Sequence, residues 1–148
     1  MTGICIHSVL EEELRLGTYH RNIFDRYIET FNNIKVIAWD PSSESESESI
    51  LLDIGDLEKK YGYGESLCLV YCKYNHNVIA SSNVKHIINF CVQNDIVYIT
   101  TEDMLYKALQ KGLMTFDECE EFIRTLIKQD SYLSIRSMDE YVPREIML

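Results

Sequence analysis

Apolar and polar positions change period several times along the chain. From Thr18 to about Asn32, the apolar residues Tyr19, Ile23, Phe24, Tyr27, Ile28 and Phe31 recur at intervals of three and four. That spacing predicts an amphipathic helix, which Asn32-Asn33 would break. Ahead of it, residues 3–9 read as a short strand leading into a helix that begins near Val9 and ends at Gly17. Residues 34–39 are short and β-branched, the pattern of a buried strand. Asp40-Pro41 stops that strand, and Ser42 to Ser49 then alternates Ser with Glu. Such a run has nothing to bury and its charges repel, so a solvated loop is expected.

Beyond the loop, residues 50–61 suggest a helix with a weak point at Gly55. Gly62 to Gly64 reads as a turn, and residues 65–74 as a helix turning Leu67, Val70, Tyr71 and Tyr74 inward. Residues 78–82 and 95–100 read as strands, separated by a helix over 83–93. Thr101 is expected to cap a helix running to Lys111, with Gly112 stopping it. Thr115-Phe-Asp-Glu118 is a capping-box pattern opening a last helix. The tail from Ser131 alternates weakly, as a short strand or a loose end would.

Strands alternating with helices predict a mostly parallel sheet with crossover helices, an α/β layer fold. A length of 148 residues and 46% hydrophobic content suit one domain, taken here as 1–148 with a flexible Ser/Glu loop at 41–50. Parallel sheets place sites at the C-terminal ends of their strands. The positions of interest are therefore Asp40, the Ser81-Ser82-Asn83 segment, and Thr100 to Asp103.

The charge balance changes the range of partners. Asp and Glu number 24 against 14 Lys and Arg, a net charge of −10. That opposes loose binding to a nucleic acid backbone, which relies on Lys and Arg to displace counterions. No apolar run reaches the ~18 residues of a membrane helix. The opening MTGICIHSVLEEEL lacks the basic and apolar regions of a secretory leader, so a cytoplasmic protein is expected. Five irregularly spaced cysteines then read as buried, reduced thiols. Cys68, Cys72 and His76 share a helical spacing, but a zinc site would need a fourth ligand.

No glycine-rich phosphate loop is present, and the four histidines have no partner at a nucleophile elbow. Carboxylates remain as the groups able to carry chemistry. Gly64-Glu65-Ser-Leu-Cys-Leu-Val-Tyr71, followed by a strand and Ser81-Ser-Asn83, resembles the C-terminal half of a PIN domain. Residues 96–118, with the Leu105 to Leu113 segment and its capped successor, are similar to the late helices of that family. Ser8 to Leu14 is similar to the family's earlier "V..EL" segment, so the resemblance spans residues 5–133.

The resemblance implies a three-layer sandwich, a short mostly parallel sheet flanked by helices. It also implies metal-dependent nuclease chemistry, often that of toxin–antitoxin ribonucleases, in which three or four carboxylates hold Mg²⁺ or Mn²⁺. Glu13 matches the family's second acid and Glu65 the acid opening the later helix. The first acid belongs to a strand that would precede residue 1, and the final acidic segment reads Ser82-Asn83. Asp40, Asn83, Glu102 and Asp103 are the candidate supporting groups. Simpler roles exist for each: Glu65 at a helix N-terminus favours the dipole, Glu13 lies in a Glu run, and Asn83 suits an N-cap.

The expected function is a PIN-like protein with a depleted metal site, a non-catalytic binding or regulatory relative of these ribonucleases. Its rivals are an active Mg²⁺- or Mn²⁺-dependent ribonuclease acting on RNA, and an acidic factor of a phage or mobile element that binds a protein partner. A sheet lacking its first strand would leave an edge for residues 3–8 or a second copy to cover, so a homo-oligomer is expected.

Overall fold

The computed structural model describes residues 3–146. The chain is mixed α/β, with seven α-helices and four short strands among the described residues. Its contacts gather into two compact units that meet in sequence at Tyr74 and Asn75.

In the first unit, β1 (Gly3–Ile6) runs parallel to β2 (Ile34–Ile37), with Gly3 opposite Ile34 and Ile6 opposite Ile37. Parallel strands need a crossover, and α1 (His7–Glu13) with α2 (Tyr19–Phe31) supplies it. Thr18 caps α2 by accepting from the Arg21 N–H at 3.3 Å. Asn32 ends it in the left-handed conformation, φ 46°. The break expected at Asn32-Asn33 therefore has a definite backbone cause, since Asn tolerates that region.

Arg21 is buried and joins the two crossover helices. Its guanidinium meets Asp25 at 2.8 Å and Glu11 at 2.9 Å, and donates to the Leu14 carbonyl at 3.0 Å. A buried guanidinium needs such partners, because an unpaired one would carry the full desolvation cost.

The Ser/Glu run is more ordered than its composition predicts. Pro41–Ser43 forms a 3-10 turn capped by Asp40, and α3 (Ser47–Glu58) begins inside the run. Glu44 accepts the Trp39 indole N–H at 2.9 Å, while the Trp39 ring meets Tyr71 edge-on at 5.1 Å. Ile50, Ile54 and Leu57 bury one stripe of α3. The apolar half of the helix thus carries its Ser/Glu start into helical conformation. Asp53 then receives Lys73 at 2.7 Å and the Tyr74 hydroxyl at 2.9 Å, tying α3 to α4 (Tyr63–Asn75). Helix α4 begins at Tyr63, inside the predicted turn.

In the second unit, β3 (Ile79–Ala80) pairs in parallel with β4 (Tyr98–Ile99), joined through α5 (Val84–Gln93). Both strands are shorter than the sequence predicts. Helix α6 (Thr101–Gln110) is capped by Thr100, one residue before the expected Thr101, in a full capping box with Asp103. Helix α7 (Phe116–Lys128) opens with the Thr115–Glu118 capping box that its sequence predicts.

The tail is neither a strand nor loose. Ile135 and Met138 are buried with Leu105, Cys119 and Ile123 in one apolar cluster. Three carboxylates hold its backbone and side chains. Glu102 accepts from the Ser134 N–H at 2.7 Å and hydroxyl at 2.9 Å. Glu120 accepts from the Met138 N–H at 2.7 Å and the Ser137 hydroxyl at 3.1 Å. Asp103 accepts from the Tyr141 hydroxyl at 2.7 Å and from Arg144, whose guanidinium also stacks 4.1 Å from the Tyr98 ring centre.

Burial pushes the Asp103 carboxyl up, but Arg144, Tyr141 and the Thr100 N–H outweigh it and hold the group below its ordinary value of 3.8. A carboxylate depressed on folding stabilises the protein above the ordinary value, and that stability is lost as pH falls through the folded value. Asp103→Asn is expected to cost about 1–3 kcal/mol at pH 7, since it removes the buried charge to which Arg144 and the Tyr141 hydroxyl donate. Urea unfolding checks this: the gap between the variant and the parent should close as pH drops below about 4, and a gap constant with pH would contradict it.

Candidate functional site

Glu13 and Glu65 lie in the first unit. Glu13 is the last residue of α1 and is exposed; Glu65 sits in the first turn of α4 and is half-buried. Between them lies Gly64, which is buried. A Cβ on Gly64 would stand 2.9 Å from a Glu13 carboxylate oxygen and 3.0 Å from a Val9 methyl. Only glycine lets the Glu13 carboxylate and α1 come this close to the backbone. The carboxylate thereby rests at the N-terminal turn of α4, where unpaired N–H groups and the helix dipole favour negative charge.

Two thiols share this neighbourhood. Cys68 stands one turn after Glu65 on α4, and Cys5 comes from β1. Burial pushes the Cys68 thiol up to about 11, helped by Cys5, Glu13 and Glu65. Burial likewise raises Cys5, partly offset by the Arg21 charge. Both are therefore neutral thiols at pH 7, and a neutral thiol is a poor nucleophile. Arg21 already has Glu11 and Asp25 against it.

The other acids predicted for the site have separate tasks. Asp40 accepts from the Ser42 hydroxyl at 2.7 Å and N–H at 3.0 Å, and those two bonds lower its carboxyl. Glu102 and Asp103, in the second unit, hold the tail. Burial raises Glu102, and the Ser134 hydrogen bonds outweigh it and hold the carboxyl below its usual range. Asn83 stands at the N-cap position of α5 but makes no side-chain cap. Its amide nitrogen lies 3.0 Å from His86 Nδ1, and its own N–H donates to the Ser81 hydroxyl.

Mg²⁺ and Mn²⁺ want several hard oxygen ligands in near-octahedral array. Glu13 and Glu65 offer carboxylates, but Cys5 and Cys68 nearby are soft sulfur donors rather than hard oxygen ligands. Among the described residues, no group of three or more His, Cys, Asp or Glu could hold a metal ion. The donor set does not fit the ion that the PIN resemblance implies.

Comparison with protein-family models, with curated proteins and with solved structures finds no match. Among the described residues, no helix is long and apolar enough to cross a membrane.

The two thiols escape a reading confined to acids. Cys68 carried a signal, because a residue three after Glu65 shares its helix face. Cys5 carried none, since only the β1 geometry brings it here. Glu13→Gln or Glu65→Gln is expected to lower the Cys68 thiol modestly, burial being the larger cause. Alkylation of Cys68 by iodoacetamide at pH 9, followed by mass spectrometry, should quicken roughly two- to fivefold in either variant. An unchanged rate in both would remove the carboxylates from the thiol's surroundings.

Proposed function

We propose that this chain is a PIN-like α/β protein of three-layer type whose metal site is depleted, and that it works by binding rather than by cleaving. The observation that carries this reading is the placement of Glu13 against Gly64, beside Glu65 and two neutral thiols. A nuclease of this kind needs a metal to lower the pKa of a water and to neutralise charge at phosphorus. Here the soft thiol of Cys68 lies near Glu13, Glu65 and Cys5, while Glu102 and Asp103 are engaged with the tail.

The binding role falls to a protein partner with a basic surface. A net charge of −10 steers such a partner and repels RNA. The protein then acts as a regulatory relative of the ribonucleases it resembles.

The test is cleavage of single-stranded and structured RNA with Mn²⁺ present, comparing the parent with Glu65→Gln. The expected result is no metal-dependent cleavage by either protein. Cleavage that needs Mn²⁺ and disappears in Glu65→Gln would overturn the reading in favour of an active ribonuclease.

A further inference from the structure

The second unit seats a guanidinium at the end of its own chain. Arg144 Nε donates to Asp103 Oδ1 at 3.1 Å and Nη2 donates to Oδ2, two parallel bonds that match the planar fork of arginine to a carboxylate. Nη2 also donates to the Tyr98 carbonyl. The guanidinium carbon stands 4.1 Å from the centre of the Tyr98 ring, close enough for a cation–π contact. A carboxylate fork, a backbone acceptor and an aromatic face together select arginine over lysine, whose ammonium is a point charge with no plane to stack.

Each wall of this seat has a support besides Arg144. The Thr100 N–H donates to Asp103 Oδ2 at 2.8 Å and the Tyr141 hydroxyl to Oδ1 at 2.7 Å, so the carboxylate is aimed by groups other than its occupant. Tyr141 packs against Tyr106 at 4.9 Å, and Tyr98 belongs to β4. The occupant is held less firmly. The Arg144 side chain is 32% exposed against 4% for Asp103, so the seat opens to solvent along the arginine stem. Val142, Pro143 and Glu145 around it are exposed. Among the described residues past Tyr141 no apolar side chain is buried, and the Arg144 head group is the main tie of this segment to the unit.

We propose that Asp103, Tyr98 and Tyr141 form an arginine-binding site, occupied in cis by Arg144, in which an arginine of a basic protein partner takes its place. This rests on the reading of a basic partner, drawn by the net charge of −10, and gives that partner its point of contact. Arg144 is then an internal competitor. It covers a buried carboxylate in the free protein and, being tethered beside the site, sets the affinity that an incoming arginine must exceed.

The test is titration of N-acetyl-arginine amide into the ¹⁵N-labelled full chain carrying Arg144→Ala, at ~150 mM salt to screen loose surface attraction. Saturable shifts at the Tyr98, Thr100, Asp103 and Tyr141 amides are expected, with a Kd of about 1–10 mM. The parent should bind at least ~10-fold more weakly, because Arg144 holds the site. The lysine compound should bind more weakly than arginine, and adding Tyr98→Leu should weaken arginine about two- to fivefold. If Arg144→Ala lacks a folded spectrum, arginine amide should restore its cooperative melt where lysine amide does not. The absence of saturable shifts would overturn the proposal, as would equal binding by the parent, equal binding of lysine, or indifference to Tyr98→Leu. So would a variant that stays unfolded at ~100 mM arginine amide, since Arg144 would then be a structural pin. A protein that neither cleaves RNA with Mn²⁺ nor binds arginine keeps the depleted metal site and loses this one; metal-dependent cleavage with arginine binding intact does the reverse.

Discussion

A carboxylate taken out of water needs hydrogen-bond donors or a cation around it, and that constraint sorts the acids of this protein. Glu102 and Asp103 are buried, and each is surrounded by donors from the segment that follows α7. Among the described residues, no buried side-chain nitrogen or oxygen lacks a partner. The two acids are therefore structural. They satisfy their own burial by capturing the tail, and the tail in turn brings Ile135 and Met138 into the apolar cluster. Acids committed in this way have few lone pairs left for a metal.

Glu13 and Glu65 answer to a different physics. Glu65 lies in the first turn of α4, and the Glu13 carboxylate at the end of α1 reaches Gly64 there, where the helix dipole favours negative charge. Gly64 sets the closeness of approach, and the neutral thiols of Cys5 and Cys68 lie nearby. Two carboxylates beside two thiols fall short of the hard oxygen set in near-octahedral array that magnesium demands. Much of the remaining negative charge is on the surface, where it shapes the choice of partner more than any chemistry.

Local signals were legible where the backbone itself reads them. The Thr115–Glu118 capping box and the Asn32-Asn33 break appear in the structure at the residues that predict them. The Thr100 cap was misplaced by one residue, because Thr100 and Thr101 are both competent and only Asp103 decides between them. The Ser/Glu run misled for a tertiary reason. Its charge pattern says loop, but Trp39 needs the Glu44 acceptor and the buried stripe of α3 pulls the run's end into helix. The tail was illegible because its order comes from carboxylates 17 to 41 residues away in the chain. The α2 periodicity was plain from the start, but period alone says nothing about which way a stripe faces.

The central claim is that the Glu13–Glu65 cluster is not a divalent-metal site. Paramagnetic broadening by Mn²⁺ reads this directly, since the ion relaxes amide resonances near wherever it is held. With Mn²⁺ raised to about ten times the protein concentration in a ¹⁵N-labelled sample, the account predicts weak broadening spread over exposed acids, as expected for a surface of net −10. Saturable broadening concentrated at the Glu13, Gly64 and Glu65 amides would contradict it.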